Sequence, residues 1–121
     1  MSDEYRPPRC PPGLEPPGRR LWRAVTRGFE LRPDELTLLE AACRLADEIA
    51  VLEAGLVGAP ALVAGSAGQE RVNPLYGEVR SHRLALGRLL AGLGLADADD
   101  DAGLKRSSAG RRLARQRWNR G

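Results

Sequence analysis

The chain has 121 residues, of which 42% are apolar and only 4% aromatic, so the composition predicts one small domain with a core of Leu, Ala and Val on helices. No apolar run approaches the roughly 20 residues that a membrane-spanning helix needs, and the acidic, then proline-rich start does not read as a signal peptide. We therefore expect a cytoplasmic protein without membrane contact. Two cysteines, Cys10 and Cys43, give no disulfide or zinc pattern.

The net charge of +3 conceals an uneven distribution along the chain. Residues 105–121 hold seven of the 19 cations and no acid, which leaves 12 cations against 16 acids, a net of −4, for residues 1–104. The cations of this tail are Lys105, Arg106, Arg111, Arg112, Arg115, Arg117 and Arg120. A mildly acidic body followed by a strongly basic tail predicts binding to a polyanion or to an acidic protein surface.

Six prolines in residues 1–18 predict an extended arm, either surrounded by solvent or lying on a neighbouring subunit. A short helix is predicted over residues 19–29, where Trp22, Val25 and Phe29 recur at helical spacing. Much of its remaining surface is basic: Arg19, Arg20, Arg23 and Arg27. These arginines bind phosphate only if several converge on one surface. The simpler interpretation is that Trp22 closes the core beside the next helix.

The strongest signal in the sequence is a helix from Pro33 to Leu56. Its apolar residues recur every three or four positions in two adjacent rows, which predicts a face wide enough for partners on more than one side. One row is assigned to the core or to an oligomer interface: Leu38, Leu45, Ile49 and Leu52. The other row includes Leu39 and Cys43. The acidic residues of this helix, Asp47 among them, are assigned to the opposite, outer surface.

A small β-hairpin is predicted near residues 61–72, because two short strand-like runs flank the turn sequence Gly-Ser-Ala-Gly. Asn73 and Pro74 suit the cap and first position of a second long helix, whose apolar side includes Leu86, Leu89 and Leu93. The single histidine, His82, has no companion for catalysis. We therefore expect no enzymatic activity, no cofactor and no metal site.

Two long helices joined by a hairpin-sized link are expected to run antiparallel. The predicted fold is mainly α, with a short N-terminal helix and these two long helices forming a core over residues 19–95. One long helix is acidic outside and the other basic, which permits head-to-tail contacts between copies that close into a ring, although pairing within one chain would use the same charges. Residues 96–121 are predicted to be an acidic linker followed by a disordered basic tail.

Several short motifs follow one another in a distinctive order between residues 11 and 95. They are Gly18-Arg-Arg-Leu-Trp22, Leu31-Arg-Pro-Asp-Glu-Leu36, Gly65-Ser-Ala-Gly-Gln69, Asn73-Pro74 and Arg88-Leu-Leu-Ala-Gly-Leu-Gly-Leu95. In content and order they resemble the small terminase subunits of tailed double-stranded DNA phages and prophages, in the branch common in actinobacterial hosts. The resemblance covers most of the chain and leaves out the tail.

The resemblance implies a non-catalytic packaging protein in the host cell cytoplasm. Such subunits form homo-oligomeric rings, bind double-stranded viral DNA and recruit or regulate the large terminase subunit, which carries the ATPase and the nuclease. Many small terminases have an N-terminal helix-turn-helix domain, for which this sequence has no room before its core helices. The DNA contact is then expected at the tail, at the helix carrying Arg19 to Arg27, or on the inner surface of the ring.

An alternative function follows from the tail itself. Trp118 stands among arginines, and this mixture of aromatic and cationic side chains suits either stacking on bases or docking in a protein groove. In the second case the chain is a non-catalytic, oligomeric interaction module whose basic tail docks on a protein partner rather than on DNA.

Overall fold

The computed structural model describes residues 5–95 and contains three helices and one two-stranded sheet. In chain order these are α1 (Pro16–Gly28), α2 (Pro33–Leu56), β1 (Leu62–Ala64), β2 (Glu70–Val72) and α3 (Pro74–Gly92). α2 lies between the other two helices and contacts both. The prediction of a mainly helical fold with a small hairpin between two long helices is confirmed. Within residues 5–95, no helix has the length and apolar character needed to cross a lipid bilayer.

The bounds of α2 agree with the sequence prediction because its start is encoded locally. Pro33 occupies the first helical position, where a missing N–H costs nothing. The backbone N–H of Arg32 donates to the Glu35 carboxylate at 2.9 Å, which closes the first turn. The helix ends at Leu56. Two residues later Gly58 has a φ of +74°, a conformation that only glycine adopts readily.

The buried face of α2 takes residues from both predicted rows. Leu39, Ala42 and Cys43 are fully buried, whereas Leu38 is 37% exposed. Leu38, which the sequence assigns to the core or to an oligomer interface, therefore lies outside the core of the single chain, and its place in an interface between copies stays a prediction. Elsewhere the predicted apolar residues lie at or beside the core: Trp22, Ile49 and Leu93 are buried, and Leu45, Leu52, Leu86 and Leu89 are half-buried.

The proline-rich arm lies against its own chain, which differs from both alternatives drawn from the sequence. Leu14 is buried in the same cluster as Trp22. The indole N–H of Trp22 donates to the Pro8 carbonyl oxygen at 3.1 Å, and the Tyr5 hydroxyl donates to the Phe29 carbonyl oxygen at 3.1 Å. Because proline has no N–H, such a segment offers mainly carbonyl oxygens, and these side-chain donors hold it without a β-ladder.

Asp47 of α2 binds the first turn of α1, which starts one turn earlier than predicted. Pro16 and Pro17 have no N–H, so the only donors left in that turn belong to Glu15 and Gly18. The N–H of Glu15 donates to one oxygen of the Asp47 carboxylate at 2.8 Å, and the N–H of Gly18 donates to the other at 2.7 Å. The assignment of Asp47 to the outer surface of α2 is therefore wrong: this carboxylate joins the two helices.

Gly18 makes the close approach of α1 to α2 possible. A Cβ atom at this position would lie 2.7 Å from the Cys43 carbonyl oxygen and 2.9 Å from each carboxylate oxygen of Asp47. Contacts this short do not occur for real Cβ atoms, so any side chain here would push the helices apart and stretch both hydrogen bonds.

The hairpin and α3 also follow local signals. β1 and β2 pair antiparallel with Leu62 opposite Val72, within the predicted range. The side-chain oxygen of Asn73 accepts a hydrogen bond from the N–H of Leu75 at 3.0 Å, which is the predicted cap. Its side-chain nitrogen donates to the Pro60 carbonyl oxygen at 3.0 Å, so one residue fastens α3 to the base of the hairpin.

An arginine–glutamate ion pair and a histidine–carboxylate contact connect the outer sides of α2 and α3 within one chain. The Arg83 guanidinium lies 2.6 Å from the Glu53 carboxylate, and Nε2 of His82 lies 3.1 Å from the Glu48 carboxylate. Gly55 of α2 lies near Leu75 at the start of α3, while Glu48 meets His82 further along, so the two helices run in opposite directions. Some of the charges considered for contacts between copies are therefore used inside the chain.

We expect Asp47→Ala to lower the free energy of unfolding by about 2–4 kcal/mol, because two charge-assisted hydrogen bonds are lost and two N–H groups remain unpaired. Urea unfolding followed by circular dichroism measures the change. Glu53→Ala is the matched control, since it removes a carboxylate of α2 that pairs only at the exposed surface and should cost about 0.5 kcal/mol or less. Equal losses for the two variants would contradict the role given to Asp47.

We expect Gly18→Ala to destabilise the fold by about 1–3 kcal/mol, although alanine is the better helix former, because its methyl group has no space against Cys43 and Asp47. Gly87→Ala is the control: Gly87 lies inside α3, and a Cβ atom there meets no atom within 4 Å. That substitution should stabilise the protein by up to about 1 kcal/mol. Thermal unfolding of both variants should show melting temperatures that move in opposite directions.

Candidate functional site

Three arginines of α1 form one exposed surface, which we call the arginine face: Arg20, Arg23 and Arg27. At about 100° per residue these positions fall within roughly 60° of one another around the helix. The buried residues of α1, Trp22 and Val25 among them, lie on the opposite side. The arginines therefore share one surface because the apolar side of the same helix is fixed against α2.

Arg19, which the sequence groups with these three, has a different position. It is half-buried, and its guanidinium donates a hydrogen bond to the carbonyl oxygen of Leu14 in the arm. One donor group of this side chain is thus used inside the protein. The structure brings three of the four predicted arginines of α1 together on the exposed face and places the fourth at the junction of arm and helix.

The arginine face carries positive charge that no acidic side chain neutralises within residues 5–95. Some other arginines of this region pair with carboxylates: Arg44 lies 2.6 Å from Glu40, and Arg83 lies 2.6 Å from Glu53. No such pair involves Arg20, Arg23 or Arg27 in the described part of the chain. Their guanidinium groups, each with five donors, are therefore available to an anion from outside this region.

A cleft of about 350 Å³ runs between the arm and α1 beside this face. Its lining residues are Pro7, Pro8, Cys10, Trp22, Arg23, Thr26 and Arg27. Two of the three residues of the arginine face thus also line the cleft, whose other walls are largely apolar. Such a site suits a ligand that presents an anionic group next to apolar or extended backbone surface.

The arm determines the shape of this cleft. Besides the bond from the indole to Pro8, the Thr26 hydroxyl donates to the Trp22 carbonyl oxygen at 2.8 Å and is itself buried. This leaves the hydroxyl satisfied inside α1 rather than available to a ligand. The polar groups that can still act in the cleft are mainly the two guanidiniums.

The two cysteines are free thiols with different surroundings. Cys10 is half-buried and lines the cleft. Cys43 is fully buried, and this burial raises the pKa of its thiol to about 12, with the carboxylates of Asp47 and Glu40 adding to the effect. Because the thiolate is the reactive form, Cys43 is a packing residue and carries no nucleophilic chemistry near neutral pH.

Groups for other chemistry are sparse in the described region. Within residues 5–95, no three His, Cys, Asp or Glu side chains come together in a way that could hold a metal ion. His82 contacts the Glu78 carbonyl oxygen at 2.8 Å and the Glu48 carboxylate at 3.1 Å, both at the α2–α3 surface and away from α1.

Sequence reasoning missed Asp47, although a signal for it exists. Glu35, Leu39, Cys43 and Asp47 follow one another at intervals of four, so the two acids continue the row that faces α1. Each end of this row carries a carboxylate that accepts a hydrogen bond from a backbone N–H at the start of a helix. Glu35 accepts from the start of its own helix, and Asp47 accepts from the start of α1. An acidic residue that continues a buried apolar row is therefore better interpreted as a contact to a neighbouring helix start than as part of the outer surface.

The other predicted site residues lie outside the described residues. These are Lys105, Arg106, Arg111, Arg112, Arg115, Arg117, Trp118 and Arg120. The roles assigned to them remain predictions.

Comparisons with protein families, with characterised proteins and with solved structures find no match to this chain.

We expect the thiols to react at very different rates with iodoacetamide at pH 8. A thiol with a pKa of about 12 is ionised to only about 1 part in 10,000 at this pH, and Cys43 is also shielded from reagent. Peptide mass spectrometry should find Cys10 modified in the native protein and Cys43 modified only after denaturation. Similar rates at the two positions in the native protein would contradict the burial described here.

The raised pKa of Cys43 also makes stability depend on pH. Folding keeps this thiol neutral, so its contribution to stability is present below about pH 8.5, the usual pKa of a free thiol. That contribution is lost as the pH rises toward 12, because the unfolded chain ionises first. Urea unfolding from pH 8 to 10.5 should show a decline that is smaller in Cys43→Ala.

Proposed function

We propose that this chain is the small terminase subunit of a tailed double-stranded DNA phage, a non-catalytic protein that binds viral DNA in the host cell cytoplasm and recruits or regulates the large terminase subunit. The observation that carries the DNA-binding part is the arginine face, whose three guanidiniums have no acidic partner within residues 5–95. The order of sequence motifs between residues 11 and 95 supports the packaging role.

The proposed mechanism is electrostatic. From Arg20 to Arg27 the helix rises by about 10.5 Å, which equals roughly three base-pair steps of 3.4 Å along one DNA strand. Guanidiniums at this spacing neutralise neighbouring phosphates and release their counterions, so binding weakens steeply as salt is added. The seven cations of residues 105–121 add further phosphate contacts. Sequence preference, where present, then comes from the shape and bending of DNA rather than from base edges.

We further propose that copies of the chain assemble into a closed ring. Large apolar side chains remain exposed on α2 and just after it, on α3 and on the hairpin: Val51, Val57, Leu62, Val72 and Leu84 are 50–82% exposed. Exposed apolar surface of this extent favours contact with another protein surface. A ring repeats the arginine face in every subunit, so many weak phosphate contacts act together on one DNA molecule. The ATPase and nuclease reactions belong to the large subunit in this proposal.

The arginine face is tested by replacing Arg20, Arg23 and Arg27 with glutamine in the full-length chain. If each binds one phosphate, the slope of log K against log salt for duplex DNA should fall by about 3. Fluorescence anisotropy with a labelled 30-base-pair duplex between 50 and 200 mM salt measures both affinity and slope, and affinity at the lower salt should drop by at least about tenfold.

The matched control replaces three other exposed arginines, Arg71, Arg80 and Arg88, with glutamine. These residues lie on β2 and α3, and within residues 5–95 they too have no ion pair. Both triple variants therefore have the same net charge. Equal loss of DNA affinity in the two would show that total charge rather than the arginine face governs binding, and would overturn this assignment.

Oligomeric state is measured by native mass spectrometry of the full-length protein. A single high-order species is the expected result, and Leu84→Glu should dissociate it if the exposed surface of α3 is part of the interface. A monomer over the micromolar range would refute the ring.

The alternative, an oligomeric interaction module, is favoured by the single tryptophan among the tail arginines. Deleting residues 105–121 should sharply weaken DNA binding at low salt if the tail contacts phosphate. A tail peptide with Trp118→Ala distinguishes the two functions in capture experiments with large terminase. Loss of protein capture with unchanged DNA binding would favour docking on a protein.

A further inference from the structure

We propose that the acidic segment of this same chain, Asp97–Asp101, binds the arginine face of α1 and the adjoining cleft. In the absence of DNA the segment neutralises the guanidiniums of Arg20, Arg23 and Arg27. A polyanion must displace it, so the segment acts as a built-in competitor. The docking stands on the geometry of the chain alone, whereas the competition with DNA rests on the function proposed above.

The described chain ends beside the core cluster that contains Trp22 of α1. Leu93 is almost completely buried, at 1% exposure, in the cluster that contains Trp22 of α1. Leu95 packs against the same cluster. The segment therefore leaves the core beside the helix that carries the arginine face, and its first aspartate follows Leu95 by two residues.

The acidic segment is long enough to reach the arginine face. An extended chain spans about 3.3–3.6 Å per residue, so Asp101, six residues after Leu95, can lie up to about 20 Å from it. α1 has 13 residues, a length of about 20 Å at 1.5 Å per residue, and a helix is about 10 Å wide. Passing half-way round a cylinder of this width takes about 16 Å, so the last aspartates of the segment can reach the exposed side of α1, where the long arginine side chains extend toward them.

The charges of the acidic segment and of the arginine face are complementary. Residues 97–101 contain four aspartates and no cation, and the arginine face contains three arginines without an acidic partner among the described residues. Arg23 and Arg27 also line the cleft beside Trp22, where apolar walls reduce screening of an entering carboxylate. A tethered segment of this length has an effective concentration near its site in the millimolar range, so even weak pairs are occupied.

The docking is tested by nuclear magnetic resonance on the full-length, ¹⁵N-labelled chain. Replacing Asp97, Asp99, Asp100 and Asp101 with asparagine should shift the side-chain N–H signals of the arginine face and the indole signal of Trp22. The difference should disappear at 1 M salt, where charges are screened beyond about 3 Å. Unchanged signals over residues 16–28 at low salt would overturn the proposal.

The competition is tested by the same four-asparagine variant with a labelled 30-base-pair duplex. We expect the affinity of this variant for DNA to rise about fivefold or more at 100 mM salt. The phosphates then no longer have to displace the aspartates from the three arginines. In the Arg20, Arg23 and Arg27→Gln background the gain should fall below about twofold. In the control background, Arg71, Arg80 and Arg88→Gln, the full gain should remain.

The outcomes separate the two proposals. A gain of equal size in all three backgrounds reflects net charge and overturns the competition. Signal shifts on α1 without any gain in DNA affinity support the docking and overturn the assignment of α1 as the DNA contact. A gain confined to backgrounds with an intact arginine face, together with the shifts, supports both.

Discussion

The carboxylate of Asp47 is the contact on which the rest of this structure depends. It binds the only two N–H groups that the Pro-Pro sequence leaves in the first turn of α1, and the absence of a side chain at Gly18 lets it approach. Together they fix how α1 is rotated on α2. Trp22 then enters the core, and the three arginines necessarily lie outside, so the candidate binding surface is a consequence of one interaction between helices.

Elements with strong local signals were predictable from the sequence. Pro33 with Glu35 at the start of α2, Asn73 with Pro74 at the start of α3, and the glycine turn of the hairpin each encode a boundary within a few residues. The arm was not predictable in this way. Its position depends on contacts such as that between Trp22 and the Pro8 carbonyl oxygen, which have no periodicity and join distant parts of the chain.

The candidate site shows the same division. Helical spacing alone places Arg20, Arg23 and Arg27 on one surface, so this grouping could be inferred. The different role of Arg19 could not, because it depends on the carbonyl oxygen of Leu14 in the packed arm. Nor could spacing decide between Leu38 and Leu39 as the centre of the core, since both belong to apolar rows and only the partner helix selects one.

The Asp47 contact joins residues that are 29 and 32 positions apart in the sequence. α1 has only 13 residues, too few for a stable helix in isolation. The first turn of α1 therefore depends on a residue far along the chain, and closing so long a loop costs chain entropy. The arm, α1 and α2 consequently form as one unit, and a nascent chain presents no ordered arginine face until α2 is complete.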